Sequence, residues 1–364
     1  MIGKRTPLLI MIFCLSALLL LTACGTNGVV ESASDGAGSS VDTAAEAAQD
    51  IEKDEAAPAV ERGKSVEEML AEKNAVTPEL TVDGREYGRK NSVSTYLFMG
   101  IDESGQVPSA GEIVNGGQCD TVFLVVIDEE AGQYTKVQLD RDMMVDMDVC
   151  DYYGTPLTTT NQQLCFAHSY GNGTETSCEN VVRCISRLLG DAEIDGYLSL
   201  RYDGIPAAND AIGGISVKIE DDFSTADASL VMGETVELTG EHALNYIRGR
   251  MSVGGGTNAE RMRRHRTYLD AFASRFRECL HGRSAIVNEL YNAVSPYMVT
   301  NMSAGELTGI AWMCDGFTDC GTVVPQGITT VRTYRDGNEY TEFYADEAAM
   351  QELVLSLYYV PVDN

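Results

Sequence analysis

The sequence predicts an α/β fold with three layers, α-β-α, in which helices cover both faces of a mixed central sheet. Strand-like and helix-like segments alternate from about residue 93 onward, which is typical of layered α/β domains. The segment DTVFLVVID, residues 120–128, is apolar almost throughout, as expected for a strand covered on both faces. With 44% hydrophobic and 22% charged residues, the 364-residue chain can build the core that such a fold needs.

The N-terminus has the pattern of a targeting segment. Lys4 and Arg5 precede an apolar run over residues 8–23, shorter than the roughly 20 residues of a membrane-spanning helix. The run ends in LTACG, which resembles a bacterial lipoprotein cleavage box. Residues 1–24 are therefore predicted to be a lipoprotein signal peptide, with Cys24 as the lipidated residue. An uncleaved anchor is the alternative, and both place the rest of the chain outside the cytoplasm, attached to a membrane.

Residues 25–92 are predicted to be an acidic linker. Between residues 25 and 61, nine acids accompany one lysine and large apolar side chains are scarce, so this part cannot bury enough surface to order itself. The segment SVEEMLAEKNA predicts a short helix whose capping box pairs Ser65 with Glu68. The globular domain is then expected over residues 93–364.

Periodicity and capping residues predict the elements of this domain in order. Strands are expected at 94–101, 120–128 and 133–139, the last two forming a hairpin. A helix over 176–190 is expected to be capped by Thr176 and to stop at Gly190. Further along, the pattern predicts strands GYLSLRY and GISVKI around a short helix, and helices at about 239–248, 258–281, 303–314 and 345–358.

Eight cysteines remain when Cys14 and Cys24 are set aside, an even number that allows disulfides outside the cell. Cys314 and Cys320 could close a small loop. No CxxC or HxxxH pattern occurs in the sequence, so a zinc site is not expected.

The net charge of −29 argues against binding to nucleic acid or to an anionic lipid surface. Yet residues 248–283 contain nine arginines and three acids, a local excess of 9 − 3 = +6. An anion that binds this protein must therefore find a local site, such as this arginine-rich segment.

The helix predicted at 258–281, called here the arginine helix, has an apolar side. Helical spacing places Arg261 and His265 on that side and Arg264 at its border. A buried guanidinium must meet a carboxylate or a bound anion. The sequence is compatible with both a structural ion pair and an anion-binding site.

Arg248 and Arg250 flank Gly249 just before the arginine helix. A left-handed Gly249 would let both side chains turn toward one point; otherwise they complement the dipole of the preceding helix. The segment SVGGGTN that follows could bring backbone N–H groups close to a ligand.

Acidic residues stand at the ends of predicted neighbouring strands. Asp102 follows the first strand, Asp120 opens the second, and Arg141 and Asp142 follow the third. Two carboxylates at such a sheet edge could hold Mg²⁺ (or Mn²⁺), which takes one or two carboxylates together with phosphate oxygens. Together with the arginines, they describe a pyrophosphate site.

Seven short motifs follow one another in the order found in a known family: YLFMGID, CDTVFLVVID, LDRDMMV, LCFAHSYG, DAIGGISV, LTGEHALNYIRGR and TNAERMRRH. Over about residues 93–282 the chain resembles the LytR-CpsA-Psr family, with a C-terminal extension expected to complete the catalytic domain. The resemblance implies a membrane-tethered phosphotransferase on the extracellular face of a Gram-positive-type envelope. Such enzymes move a glycopolymer, such as teichoic acid or capsule, from a polyprenyl-pyrophosphate carrier to peptidoglycan.

The resemblance also implies roles for individual residues. Asp102 and Asp120 match the metal-associated aspartates, and Arg141 matches the arginine of an arginine–aspartate pair with Asp142. The pyrophosphate-binding positions match Arg141, Arg248, Arg250, Arg261 and Arg264, with Gln118 where the family commonly has another arginine. Other departures from the family pattern are Gly255 for an acid, His265 for Gln and Cys165 for Asn.

The implied reaction leaves several points open. Either Asp120 or Asp142 could take the proton of the attacking hydroxyl. The apolar groove for the prenyl tail could be walled by residues 181–189 and by the arginine helix, although core packing explains both. Two alternatives remain: a hydrolase of the same polyprenyl diphosphate, and a non-catalytic, lipid-carrier-binding regulator.

Overall fold

The structure, a computed structural model, describes residues 77–109, 116–249, 252–283, 285–334 and 337–362. From Pro78 onward the described residues form one compact unit. The predicted signal peptide with Cys24, the linker up to residue 76 with its short helix, and Arg250 lie outside the described residues. No helix within the described ranges is long and apolar enough to cross a membrane.

The strands in chain order are β1 Leu80–Val82, β2 Arg85–Arg89, β3 Val93–Ile101, β4 Cys119–Asp128, β5 Gln133–Leu139, β6 Met144–Cys150, β7 Pro156–Gln163, β8 Gly196–Arg201, β9 Ile215–Lys218, β10 Thr235–Leu238, β11 Met298–Thr300, β12 Thr318–Val323, β13 Gly327–Thr333, β14 Glu339–Ala345 and β15 Tyr359–Pro361. The α-helices are α1 Glu175–Leu188, α2 Gly204–Ala211, α3 Glu241–Arg248, α4 Asn258–Gly282, α5 Ile286–Val294, α6 Ala304–Gly316 and α7 Glu347–Tyr358. Short 3-10 helices span Leu164–Ser169 and Ser295–Tyr297.

The central sheet has six strands in the order β11-β8-β3-β4-β5-β12. Strand β3 runs antiparallel to β4 and parallel to β8, and β5 pairs antiparallel with β4 and parallel with β12, so the sheet is mixed. The apolar strand β4 lies inside the sheet, and β4 and β5 form the expected hairpin. The mixed central sheet is confirmed.

Alternating side chains of the central strands divide the core into two layers. Phe98 and Phe123 point to the side covered by α4, the arginine helix, with its Phe272 and Phe276. Leu97 points to the other side, which α1 and α7 cover. Helices on both faces of the sheet give the three-layer α-β-α arrangement that the sequence predicts.

The predicted linker extends too far toward the domain. Residues 80–89, assigned to it, form β1 and β2, and β2 pairs antiparallel with β15 at the other end of the described chain. Arg89 also donates a hydrogen bond of 2.7 Å to the hydroxyl of Tyr359. Short strands with little apolar alternation are stabilised here by a partner 270 residues away, which local sequence patterns do not reveal.

Two local predictions are also corrected. Helix α1 begins at Glu175 with Thr174 as its N-cap residue, while the hydroxyl of Thr176 accepts from the Asn172 backbone N–H and donates to the Tyr152 carbonyl. Every described cysteine is a free thiol, so the loop between Cys314 and Cys320 is not closed by a disulfide. Cys314 is buried in α6 whereas Cys320 is exposed on β12.

Candidate active site

Three strand ends meet at one edge of the central sheet. Ile101, the last residue of β3, lies opposite Cys119 of β4 and Arg201 of β8. Asp102 and Tyr202 directly follow β3 and β8, and Asp120 lies in the register irregularity near the start of β4, between the pairs Gly100–Thr121 and Ile101–Cys119. All three residues therefore stand at the same edge. The backbone N–H of Asp102 donates to the Gln118 carbonyl at 2.8 Å, which joins the two strand ends beyond the regular ladder.

The carboxylate of Asp120 is the centre of the charged cluster. Its Oδ1 accepts a hydrogen bond from Nη1 of Arg141, and its Oδ2 accepts one of 2.7 Å from Nη1 of Arg261. The hydroxyl of Tyr202 also donates to Oδ2, at 3.3 Å. Because Asp120 is only 9% exposed, these donors supply the pairing that a buried carboxylate requires.

Arg141 has further partners that fix its guanidinium. Its Nη2 donates to Oε1 of Gln118 at 2.6 Å and lies 3.0 Å from Sγ of Cys165, while its Nε lies 3.2 Å from Oδ1 of Asp142. Burial acts to lower the pKa of Arg141, but the neighbouring carboxylates of Asp120 and Asp142 contribute to raising it above the usual value, so Arg141 is cationic. Burial raises the pKa of the Cys165 thiol to about 12, which keeps that neighbour protonated.

The arginine helix contributes Arg261 and His265, both buried as its periodicity predicts. Nη2 of Arg261 donates to Oδ1 of Asn258 at 2.8 Å. His265 Nε2 lies 3.2 Å from the carbonyl of Ile247, and its Nδ1 lies 3.1 Å from Oγ1 of Thr121. A carbonyl can only accept, so Nε2 carries the hydrogen and Thr121 donates to Nδ1. Burial and the charge of Arg261 lower the pKa of His265 to about 3, so the ring is neutral.

Arg248 and Asp102 form the outer, solvent-facing part of the site. The Arg248 side chain is 55% exposed and that of Asp102 42%, with 4.0 Å between Nη2 and Oδ1. The Arg248 guanidinium stacks over the ring of Tyr202, 4.7 Å from its centroid. Tyr202 was part of a predicted strand, and nothing in its local sequence pattern indicated a place in the site.

Arg264 lies outside the cluster around Asp120. Its guanidinium donates to Oδ2 of Asp221 at 2.9 Å and to the carbonyl of Gly249, and it stacks on Phe223. Arg263 pairs with the same carboxylate, Asp221, at 2.5 Å. Since Arg264 is 2% exposed and both of its terminal nitrogens are already paired, this geometry suits the structural ion pair rather than an anion site.

The glycines before the arginine helix do not have the expected roles. Gly249 has φ −51° and ψ 123°, which is not left-handed, so the first of the two alternatives for this glycine does not hold. A glycine is still needed, because a Cβ there would lie 2.7 Å from Val253. The N–H groups of Gly255 and Thr257 donate to the Glu260 carboxylate at 3.2 and 3.1 Å, so the helix start is capped by its own side chain.

A pocket of about 880 Å³, including its open mouth, adjoins the charged cluster. Asp120, Arg248 and Arg261 stand at its polar end. The rest of its wall is mainly apolar and comes from the central strands, α2, α3 and the arginine helix, including Phe98, Leu200, Ile247, Leu269 and Phe272. The arginine helix thus walls an apolar pocket as anticipated, whereas residues 181–189 belong to the core on the opposite face of the sheet.

The carboxylates present limit how a metal could bind. Within the described ranges, no group of three or more His, Cys, Asp or Glu side chains is placed to hold a metal ion. Asp102 and Asp120 supply two carboxylates at one edge, and Asp102 is solvent-accessible. This donor set fits Mg²⁺ or Mn²⁺ only where phosphate oxygens and water complete the coordination.

Comparisons with known proteins identify relatives of this chain. The chain is 26% identical over 219 residues to the polyisoprenyl-teichoic acid–peptidoglycan teichoic acid transferase TagU of Enterococcus faecalis, covering 59% of this chain and 63% of that protein. The chain thus spans less than two thirds of that relative's length. The crystal structure of Bacillus subtilis TagV superposes with a TM-score of 0.56 at 21% identity, over 74% of this chain and 96% of that one.

A structure described as TagT bound to LI-WTA gives a TM-score of 0.53 at 17% identity, over 73% of this chain and 90% of that one. These structural likenesses show a shared fold. The model of the LytR_cpsA_psr family matches residues 46–354, most of the chain. The chain therefore belongs to the LytR-CpsA-Psr family.

Proposed function

We propose that this protein is a phosphotransferase that attaches a glycopolymer, such as a teichoic acid or capsule, from a polyprenyl-pyrophosphate carrier to peptidoglycan. The observation that carries the proposal is the junction of three arginines and two aspartates with an apolar pocket. A polyprenyl diphosphate has the matching halves, an anionic headgroup and an apolar tail. The names of the relatives TagU and TagV, both teichoic acid transferases, support the same reading.

The arginines are arranged to receive the headgroup. Arg141 and Arg261 approach Asp120 from opposite oxygens, and Arg248 stands at the pocket mouth. Arg261 also lines the pocket, where its guanidinium can contribute positive charge toward a bound phosphate. Guanidinium groups that line a largely apolar cavity stabilise phosphate charge more strongly than they would in water.

Mg²⁺ or Mn²⁺ is part of the proposal. Asp102 and Asp120 would hold the ion together with diphosphate oxygens, where it would neutralise phosphate charge. The remaining binding and orientation of the headgroup falls to Arg141, Arg248 and Arg261.

The transfer step follows from the chemistry of the two substrates. A hydroxyl of peptidoglycan attacks the phosphorus bonded to the polymer, a phosphodiester forms, and polyprenyl phosphate leaves with the bridging oxygen. Asp120 lines the pocket, whereas Asp142 is 3% exposed and lies against Nε of Arg141. This geometry favours Asp120 as the group that takes the hydroxyl proton.

Gln118 remains part of the charged cluster, although the family commonly has arginine at this position. Its side-chain oxygen accepts from Arg141 and thereby orients that guanidinium toward Asp120. This contact favours catalytic activity over the alternative that the protein is a non-catalytic regulator.

The proposal also includes a lipid anchor at Cys24 and a location on the extracellular face of the cell membrane.

The test combines the full chain in detergent with a short polyprenyl-pyrophosphate-linked glycan, a peptidoglycan oligomer and Mg²⁺. Mass spectrometry should find the polymer–peptidoglycan phosphodiester for the wild type. Arg261→Ala should lose the product, and Arg275→Ala, a surface arginine on the same helix paired with Glu278, should retain it. Release of free polymer without coupling would identify a hydrolase, and an unchanged donor would contradict both enzymatic readings.

A further inference from the structure

Tyr202 contacts both parts of the charged cluster, the inner part around Asp120 and the outer part that contains Arg248. It follows β8 directly, is 8% exposed, and lines the pocket beside Leu200 and Ile205. Its hydroxyl lies 3.3 Å from Oδ2 of Asp120, in the inner half. Its ring lies under the guanidinium of Arg248, in the outer half, at 4.7 Å from the centroid.

We propose that Tyr202 is a positioning residue for diphosphate binding: its ring holds Arg248 over the pocket mouth, and its hydroxyl holds the Asp120 carboxylate that orients Arg141 and Arg261. This inference rests on the proposed function and assigns a role within the same site. It requires contact with the arginine and the carboxylate, not with substrate.

The ring matters because Arg248 has little else to hold it. The side chain is 55% exposed, and its other close partner among the described residues is Asp102 at 4.0 Å. A long exposed arginine loses rotamer freedom when a ligand immobilises it. A guanidinium already stacked on an aromatic face has lost part of that freedom before the diphosphate arrives.

The hydroxyl acts as a fixed donor. A protonated phenol beside a carboxylate can only donate to it. The Asp120 oxygen that receives Arg261 is thereby held in one orientation.

Titration calorimetry with Mg²⁺ and inorganic pyrophosphate on the full chain tests this role through a double-mutant cycle. Tyr202→Leu removes the ring and should weaken pyrophosphate binding about 5- to 30-fold, the range of a partly desolvated cation–π contact. Tyr202→Phe keeps the ring and should lose only about 2- to 5-fold, as expected for one hydrogen bond. In the Tyr202→Phe background, Arg248→Ala should weaken pyrophosphate binding by the same factor as in the wild type. In the Tyr202→Leu background, Arg248→Ala should weaken it little further.

A matched control comes from a second cation–π pair that lies away from the site. The Arg89 guanidinium stacks on the Tyr359 ring at 4.9 Å, and Tyr359→Leu should leave pyrophosphate affinity and the Arg248→Ala loss unaltered. Thermal unfolding of each variant identifies loss of fold. If Tyr202→Leu and Arg248→Ala give additive losses, or if Tyr202→Phe binds as weakly as Tyr202→Leu, Tyr202 does not position Arg248. A wild type that binds no pyrophosphate would instead overturn the proposed function, and this inference with it.

Discussion

Replacement of Asp120 by asparagine should destabilise the protein strongly, and a diphosphate should reverse much of that loss. The carboxylate compensates two guanidinium groups whose side chains are only 11% and 5% exposed, those of Arg141 and Arg261. An amide has the same shape but no charge, and its NH₂ group would face one of the two donors. At this position two buried cations would then share one neutral acceptor, and of the two only Arg141 would keep a neighbouring carboxylate, that of Asp142.

The magnitude follows from the burial of these pairs. Removal of one partner from a buried ion pair costs about 3–5 kcal/mol, because the other charge stays buried without compensation. At about 2–4 °C per kcal/mol for a domain of this size, the melting temperature should fall by roughly 6–20 °C. A bound anion restores counter-charge, and ligand at a hundredfold of its Kd adds about 2.7 kcal/mol of stability.

The assay is thermal unfolding of the full chain in metal-free buffer, with and without inorganic pyrophosphate. Pyrophosphate should raise the melting temperature more for Asp120→Asn than for the wild type, because the mutation frees Arg141 and Arg261 for the ligand. Asp221→Asn is the matched control, since Asp221 also joins two arginines, Arg263 and Arg264, outside the pocket. That variant should lose stability and gain no more from pyrophosphate than the wild type does. Equal gains for Asp120→Asn and the wild type would refute the reasoning.

Three further outcomes are expected. Arg264→Ala should lower the melting temperature by a margin similar to Asp221→Asn, yet change the pyrophosphate Kd less than about 3-fold, because its donors serve Asp221 and Gly249 rather than the pocket; a larger loss of affinity would place Arg264 in the binding site. His265→Gln should make the stability of the protein depend less on pH. The pKa of His265 is about 3 in the folded protein and about 6.5 in the unfolded chain, so the unfolded chain binds one more proton between these values. The wild type should therefore lose up to about 1.4 kcal/mol of stability per pH unit as the pH falls from about 6.5 to 3. His168, with its pKa lowered to about 4 by burial, should account for a remaining slope, and an identical wild-type and His265→Gln pH profile in urea unfolding would contradict the assignment. In calorimetry, the increase in pyrophosphate affinity on adding Mg²⁺ should be about 10-fold smaller for Asp102→Asn than for the wild type, and the affinity without metal should change by less than about 2-fold. An equal effect of Mg²⁺ on both proteins would exclude Asp102 as a metal ligand.

The central strands and the arginine helix could be predicted because their signals are local. An unbroken apolar β4 and the 3.6-residue period of α4 each follow from neighbouring residues alone. Strand β7, PLTTTNQQ, has no such signal, because most of its side chains are exposed and its ordering partner among the described strands is β6. The same applies to β1 and β2, whose place depends on a strand at the far end of the domain.

The candidate site shows the same division. The inward direction of Arg261 follows from its position on the helix, and the structure shows that a carboxylate, Asp120, is its partner. The same rule places Arg264 at the border of that side, and only the tertiary position of Asp221 reveals that its guanidinium is paired away from Asp120. Periodicity likewise shows that residues 181–189 have an apolar face but not which side of the sheet that face covers. That side is decided by the chain crossover, which leaves no local trace.

The Asp120 carboxylate also fastens the arginine helix to the strand ends, since Arg261 comes from α4 and Arg141 from the segment after β5. The stability of the fold alone would therefore favour retention of Asp120, Arg141 and Arg261, with or without catalytic activity. In a relative, the presence of these three residues therefore indicates a stable fold, and evidence for catalysis has to come from residues on which the fold does not depend.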